Sequence, residues 1–261
     1  MARVLSALAI LPLVIGTVWF LPPLATLILA EVVLVLAFFE YVTLAAAFGA
    51  RFPRSLTLVA TGATAAAVAY DVTTVVLMAS TLTLGVVSLV SARRGREMLL
   101  DVASTVLPVL YLGLPIGALV AVRGSAGREA VMLLLATIMV SDTAQYYGGR
   151  WLGRTPLAPA ISPKKTVEGA LFGLAAGTAL ILALSAGMPG LETSNLAQRA
   201  VFGLAIVGLG IVGDLFESQL KRGAGVKDAS TLIPGHGGVL DRIDSLLFAA
   251  PGFYLFLQLV G

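Results

Sequence analysis

The sequence contains no cysteine, a single histidine and few charged residues, and these absences narrow the chemistry available to it. Without cysteine there are no disulfides, no thiolate metal ligands and no cysteine nucleophile. Only 12% of the 261 residues are charged, about half the fraction typical of soluble proteins, and the mean hydropathy is +0.98. The net charge is only +3 and no continuous basic face is present. We therefore expect no nucleic-acid partner.

Apolar runs long enough to cross a bilayer recur along the whole chain, whereas a signal peptide would account for only one short run. We predict an all-α fold, a polytopic membrane helix bundle with about nine transmembrane helices. Pro108 and Pro115 predict a kink or a break within the fifth span. The predicted spans are 4–21, 24–48, 55–70, 72–91, 99–122, 129–147, 168–188, 200–219 and 245–260.

The basic residues are distributed unevenly between the two sides of the predicted membrane. With the N-terminus placed in the cytoplasm, every Lys and Arg except Arg123, Arg128 and Arg199 falls in an inside segment. Because cytoplasmic loops are enriched in Lys and Arg, this asymmetry favours a cytoplasmic N-terminus. It also predicts that the two long polar loops, 148–167 and 219–244, face the cytoplasm.

Acidic residues gather at the borders of the last two predicted spans. Asp214 lies near the end of the eighth span, and Asp241 and Asp244 lie where the ninth begins. Neutralisation within a polar helix end would explain Asp214, and N-capping would explain the other two. Acids at membrane depth are costly, however, and three carboxylates meeting across a helix pair form a hard oxygen site suited to Mg²⁺. Glu31 and Glu40 lie within the second span. Glu40, near the cytoplasmic end of that span, could reach the same site, but a structural hydrogen bond explains these acids at least as well.

The loop between these acids is rich in glycine and in basic residues. Glycine lets backbone amides approach anionic oxygens, and the side chains of Lys221, Arg222 and Lys227 carry the charge that neutralises phosphate. His236 fits phosphate binding and a hydrogen bond within the loop equally well. The pattern predicts a site that handles a metal ion together with phosphate groups.

A second polar cluster begins at Asp142, which ends an apolar span. Lys164, Lys165 and Thr166 precede the next predicted helix, where free backbone amides and two ammonium groups would hold a polyphosphate. A positive-inside loop closed by Thr166 or Ser162 as a helix cap explains the lysines as well. We predict that Asp142, Lys164, Lys165 and Thr166 bind substrate.

Both clusters resemble the motifs of one enzyme family. Ser218-Gln-Leu-Lys-Arg222, then Lys227-Asp228, then Pro234-Gly-His-Gly-Gly-Val-Leu-Asp-Arg-Ile-Asp244 resembles the signature of the phosphatidate cytidylyltransferases, the CDP-diacylglycerol synthases. The upstream segment 142–169, with its Ser-Pro-Lys-Lys-Thr-Val-Glu-Gly, is similar to the same family. Residues 1–130 match only in being hydrophobic. One departure is Ala229-Ser230, where bacterial members often have Phe-Gly.

The resemblance implies that CTP and phosphatidic acid give CDP-diacylglycerol and pyrophosphate, with Mg²⁺ required and K⁺ as a second cation. It also implies a homodimer, contact with membrane lipids and a place in the cytoplasmic (inner) membrane with the active site facing the cytoplasm. Carried over by matching position, the metal-binding and catalytic acids are Asp214, Asp241 and Asp244, the catalytic basic residues are Lys221 and Arg222, and Lys227, Asp228, His236 and Arg242 join the substrate site.

No loop is long enough to form a separate soluble domain. We therefore expect a single integral membrane domain over 1–261, with less specific helices in 1–128 and the catalytic helices and cytoplasmic loops in 129–261. Two other functions explain parts of the pattern. A different CTP-using lipid enzyme, such as a polyprenol kinase or a CDP-archaeol synthase, would share the cation cluster and differ in its lipid pocket. A cation-coupled transporter would carry its key acids nearer the middle of the membrane.

Overall fold

The computed structural model describes the chain except residues 1, 90–92, 190, 193, 234, 236 and 261, and it describes only the backbone at 2–7, 9 and 260. Within the described part, long helices dominate. The helices are α1 (Ala2–Phe20), α2 (Pro23–Ala47), α3 (Arg54–Ala69), α4 (Thr73–Ser88), α5 (Arg96–Pro108), a π-helical turn (Val109–Gly113), α6 (Leu114–Ser125), α7 (Gly127–Leu152), α8 (Val167–Leu184), α9 (Leu196–Gly223) and α10 (Leu240–Val260). The strands are β1 (Pro156–Ala158) and β2 (Ser162–Thr166).

The helices fall where the apolar runs predict them. Among the described residues, five helices are long and apolar enough to cross a membrane, namely α2, α5 together with α6, α7, α8 and α9. Shorter apolar helices lie at Ile10–Phe20 and Thr73–Ser88. A helical membrane protein is therefore confirmed, whereas the count of about nine spans and the orientation of the N-terminus stay predictions.

The chain divides into two compact units whose boundaries fall inside helices α6, α9 and α10. The first unit comprises Met1–Ala121 and Leu220–Arg242, and the second comprises Val122–Gln219 and Ile243–Gly261. Each unit is therefore assembled from two separate stretches of sequence. The glycine-rich loop, defined here as residues 224–239, belongs to the first unit together with the N-terminal helices.

In the first unit, the π-helical turn follows Pro108 and packs against α3. A Cβ added at Gly113 would lie 2.7 Å from the main-chain oxygen of Thr61, and one added at Gly117 would lie 2.6 Å from that of Ala65. Glycine at both positions therefore lets the two helix backbones touch, which is a common means of helix association in membranes. The predicted interruption near Pro108 takes the form of this π turn.

In the second unit, α7 packs along α8, and α9 packs against α10. Gly148 of α7 lies under the ring of Phe172, since an added Cβ would be 2.6 Å from the Phe172 Cβ. Phe202 of α9 stacks on Phe256 of α10 with ring centroids 4.0 Å apart, and Phe253 meets it edge-on. These aromatic and glycine contacts hold the four helices at short separations.

A two-stranded antiparallel hairpin connects α7 to α8 and departs from the all-α prediction. Pro156 pairs with Thr166 and Ala158 pairs with Ser162. Glu168, in the first turn of α8, accepts hydrogen bonds from the backbone amides of Arg154 and Thr155 and from the Thr155 hydroxyl. Because these bonds connect the two ends of the hairpin, the segment predicted as an open loop has a defined shape.

Candidate active site

The second unit brings Lys165 of β2 to Asp214 of α9. The Lys165 ammonium donates to one carboxylate oxygen of Asp214, and the Ser218 hydroxyl approaches the other at 3.4 Å. Both members of the ion pair are only partly exposed, at 22% for Lys165 and 28% for Asp214. Glu217 of the same helix is fully buried. One residue from each of the two polar clusters identified in the sequence therefore takes part in this contact within the second unit.

Asp244 lies beside the same part of α9. A Cβ added at Gly213 would be 2.6 Å from the main-chain oxygen of Asp244, so α9 and α10 touch at that level. Asp214 is the next residue along, and consecutive Cα atoms are only about 3.8 Å apart. One carboxylate oxygen of Asp244 accepts a hydrogen bond from the backbone amide of Ser245 at 2.7 Å. The helix contact thus carries two acids close together.

The remaining predicted residues of the second unit surround the hairpin. Asp142 is exposed on α7 and accepts a hydrogen bond from Gln145 at 3.1 Å. Lys164 is exposed on β2. Thr166 caps α8, because its hydroxyl accepts the backbone amide of Gly169 at 3.1 Å. The cap alternative therefore accounts for Thr166, while Lys164 stays available to an anion from solvent.

In the first unit, Lys221 and Asp241 form an ion pair beneath the glycine-rich loop. The Lys221 Nζ lies 2.5 Å from the Asp241 Oδ1, and their side chains are 10% and 7% exposed. The other oxygen, Oδ2, accepts the backbone amides of Ala229 and Gly238 at 3.0 and 2.7 Å. Asp241 therefore connects the loop to α10 at two points, Ala229 and Gly238, and the sequence alone does not predict these contacts.

The surroundings of Asp241 act in opposite directions on its ionisation. Burial alone raises the pKa of a carboxyl, but here the hydrogen bond from Lys221 and those from the amides of Gly238 and Ala229 outweigh burial. The pKa of Asp241 therefore lies below its ordinary value. The side chain is a stable carboxylate near neutral pH.

The other predicted residues of the first unit are exposed around this loop. Arg222 donates to the main-chain oxygen of Val226 at 3.1 Å, which keeps its guanidinium over the start of the loop. His236 lies outside the described residues, so its role stays a prediction. The further exposed members are Lys227, Asp228 and Arg242.

The predicted acids differ in how readily their carboxylates could bind a metal ion. Within the described part of the chain, no three Asp, Glu or His side chains converge as a ready metal cluster. Mg²⁺ in phosphate-handling enzymes typically uses one or two carboxylates and completes its shell with water and substrate oxygens. The neighbouring Asp214 and Asp244 fit that requirement. Both oxygens of Asp241 already accept hydrogen bonds, so its metal role stays a prediction that would require those bonds to be displaced.

One acid left without a role in the sequence makes extensive contacts in the first unit. Glu40 of α2 is 5% exposed and accepts hydrogen bonds from the glycine-rich loop and from the start of α10. The only sequence signal was an acid near the end of an apolar span. Its partners lie 190 to 200 residues away, beyond any local pattern.

Comparison with known proteins gives a consistent family. The sequence matches the family model described as "Cytidylyltransferase family" over residues 1–260. It is 41% identical over 155 residues to the phosphatidate cytidylyltransferase of Helicobacter pylori, a match covering 59% of this chain and 57% of the relative. It is 47% identical over 137 residues to the enzyme of that name from Synechocystis, covering 51% of this chain and 45% of the relative.

The same kind of match is found with the phosphatidate cytidylyltransferase of Haemophilus influenzae. There the identity is 44% over 134 residues, covering 50% of this chain and 46% of the relative. The chain thus spans about half the length of the curated relatives it matches.

Proposed function

Because the chain belongs to the cytidylyltransferase family, we propose that it transfers the cytidylyl group of CTP to phosphatidic acid, forming CDP-diacylglycerol and pyrophosphate. A phosphate oxygen of the lipid attacks the α-phosphorus of CTP. The bond from that phosphorus to the bridging oxygen of the β-phosphate breaks, and pyrophosphate leaves with the bonding electrons. The named activity of the relatives supports this reaction.

The Lys165–Asp214 pair is the observation that carries the proposal. It joins a phosphate-neutralising cation to a metal-binding type of acid, from two segments that both resemble the family motifs. The lipid phosphate is already a nucleophile, so the reaction requires no serine or cysteine. The barrier arises from repulsion between two anions, and positioned cations lower it.

The side chains have separable tasks in this proposal. Lys164 and Lys165, on the hairpin, neutralise phosphate charge as substrate arrives, and Lys165 exchanges its contact with Asp214 for a phosphate oxygen. The exposed Arg222, Lys227 and Arg242 bind anionic oxygens of the nucleotide. Lys221 maintains the loop through Asp241, and its direct catalytic role stays a prediction.

We further propose that the enzyme uses Mg²⁺, held by Asp214 and Asp244. A bound Mg²⁺ would polarise phosphoryl oxygens and offset their charge. The closeness of the two acids across the α9–α10 contact supports this assignment. K⁺ as a second cation and a homodimer rest on the family resemblance.

We also propose that the site faces the cytoplasm from the inner membrane. The uneven distribution of Lys and Arg in the sequence supports that side, where CTP is available. Phosphatidic acid then reaches the site from the bilayer and the nucleotide from water. Both polar clusters lie at ends of apolar helices, as such a boundary site requires.

A product assay tests the function. Purified protein in detergent, with Mg²⁺, α-labelled CTP and phosphatidic acid, should form labelled CDP-diacylglycerol, and ATP, GTP or UTP should not replace CTP. A polyprenol kinase would instead transfer the γ-phosphate to a polyprenol, and a CDP-archaeol synthase would require an ether-linked acceptor. Absence of a CDP-lipid with every acceptor offered would refute the proposal. Transfer of the γ-phosphate to a polyprenol would then indicate the kinase, and no product of either kind would favour the transporter alternative.

A further inference from the structure

Glu40 of α2 attaches to both ends of one segment of the glycine-rich loop. Its Oε1 accepts the Ser230 hydroxyl at 2.6 Å and the Val239 amide at 2.9 Å, and its Oε2 accepts the Leu240 amide at 2.7 Å. The carboxylate is 5% exposed. A single buried side chain thus brings Ser230 together with Val239 and Leu240.

These bonds also begin helix α10. Leu240 is the first residue of that helix, and the first amides of a helix have no partner within it. Side chains just ahead of a helix usually satisfy them, whereas here Glu40 does so from a different helix. The negative charge is favourable at this end of the helix dipole.

The space around the carboxylate is fitted to it. A Cβ added at Gly238 would lie 2.5 Å from Glu40 Oε2 and 2.8 Å from Oε1, so any other residue there would displace the acid. Glutamine is not an adequate replacement for Glu40, because its NH₂ group would face a backbone N–H donor. The site therefore requires a carboxylate with two accepting oxygens.

The residues that bind Glu40 lie between residues that are predicted to bind substrate. Lys227 and Asp228 immediately precede Ala229 and Ser230, and Arg242 follows Leu240 by two positions. Because both oxygens of Glu40 are engaged by the loop, the side chain acts through these neighbours and not on the substrate itself. Its position matters for where they point.

We propose that Glu40, together with Ser230, is a positioning residue that sets the conformation of the glycine-rich loop for nucleotide binding. The inference rests on the proposed cytidylyl transfer for its kinetic consequence, but the attachment of the loop is independent of it. The Ser230 hydroxyl adds a side-chain donor to the two backbone amides that bind the acid. Loss of the attachment releases the loop and weakens binding of CTP.

Kinetics of purified variants test this role. Glu40→Gln should raise the KM for CTP by about 10- to 100-fold, by analogy with the loss seen when residues that orient metal-binding side chains are mutated. Ser230→Ala, which deletes one of three bonds, should raise it less. Glu40→Asp, which keeps the carboxylate, should lie nearer wild type. Glu31→Gln is the matched control, because that acid lies on the same helix and faces Gly62 of α3.

A cysteine reporter tests the attachment without any turnover. The chain contains no cysteine, so Ala229→Cys introduces a single thiol at a side chain that is 6% exposed. Adding Glu40→Gln should increase its labelling by a water-soluble maleimide several-fold, and adding Glu31→Gln should leave the rate unchanged.

The results of these experiments distinguish failure of the positioning role of Glu40 from failure of the proposed cytidylyl transfer. A KM for CTP unchanged by Glu40→Gln, with only the amount of active enzyme reduced, would show a purely structural acid and overturn the inference. An unchanged labelling rate would overturn it as well. If the wild-type protein forms no CDP-lipid, the proposed function fails, and the labelling rate alone then decides whether Glu40 holds the loop.

Discussion

Lys165 donates a hydrogen bond to Asp214, although 49 positions separate them and one lies on a strand and the other on a helix. Each side chain is partly withdrawn from water, and each balances the charge of the other. The arrangement places a cation and an acid next to each other. In the proposed function, a substrate phosphate would take the place of Asp214 at Lys165, and Mg²⁺ would take the place of Lys165 at Asp214.

Asp214→Asn and Asp244→Asn should each lower cytidylyl transfer at least about 100-fold, because each removes a carboxylate proposed to hold the Mg²⁺ that offsets the charge of the reacting phosphates. The product assay at saturating CTP measures the effect, and raising the Mg²⁺ concentration should recover part of the rate. Asp71→Asn is the control, since Asp71 has a φ of 58° in the α3–α4 turn that asparagine also tolerates. Full activity of Asp244→Asn would remove that acid from the site.

Lys221→Met should destabilise the protein by about 3–5 kcal/mol, because it leaves the buried carboxylate of Asp241 without its cation. The unfolding midpoint in detergent should fall clearly below that of wild type. Arg222→Met is the adjacent control, and its exposed side chain should contribute little to the midpoint. Equal midpoints for the two variants would contradict a stabilising role of the pair.

The contribution of Asp241 to stability should depend on pH in one direction. Its pKa is lowered in the folded protein, so its stabilising effect is present above the unfolded pKa of about 3.9 and is lost as pH falls through the folded value. Asp241 lies ahead of the predicted span 245–260, outside the apolar part of α10. The difference in midpoint between wild type and Asp241→Asn should stay constant from pH 7 to about 5 and shrink below about 4. A difference that grows on acidification would be inconsistent with the lowered pKa.

Gly148→Ala should destabilise the contact between α7 and α8 by about 1–3 kcal/mol, because the new Cβ overlaps Phe172. Gly208→Ala is a matched helical control, since an added Cβ meets nothing within 4 Å. Its unfolding midpoint should equal or exceed that of wild type, as alanine favours a helix over glycine. Similar losses in both variants would indicate that helix propensity, and not the overlap, determines the result.

The predicted orientation can be tested with single cysteines in this cysteine-free chain. Arg96→Cys and Ala160→Cys lie in segments predicted to face the cytoplasm, so an impermeant maleimide should label them only after the membrane is permeabilised. Glu192→Cys, exposed and on the predicted outer side, should be labelled in intact cells. The reverse pattern would overturn the topology.

The positions of the helices could be predicted because a membrane-spanning helix leaves a local record of apolar length. The predicted span 24–48 corresponds to α2 at Pro23–Ala47, and the span 168–188 to α8 at Val167–Leu184. The break near Pro108 could also be predicted from a local feature, because proline lacks the backbone N–H that a helix requires. Its form as a π turn depends on packing against α3, which no local pattern records.

The candidate site was only partly predictable. Residue types and spacing predict that Asp214, Lys165 and Asp241 belong to a site, because charges are scarce in an apolar chain. They do not predict that both carboxylate oxygens of Asp241 accept hydrogen bonds from Lys221 and the loop. They also do not predict that Glu40 contacts the same loop. Those contacts follow from how distant helices meet, and a single sequence does not record that.

The first unit is built from an early and a late stretch of the chain, and this affects how it forms during synthesis. Its helix α2 is made almost 200 residues before Val239 and Leu240, the partners of Glu40. At translation rates of 5–20 residues per second, Glu40 is synthesised roughly 10–40 s before these partners. During that interval the Glu40 carboxylate has none of the three hydrogen bonds that it accepts in the folded unit. The N-terminal helices of the first unit therefore obtain their full set of contacts only after the C-terminal stretch of that unit has been synthesised.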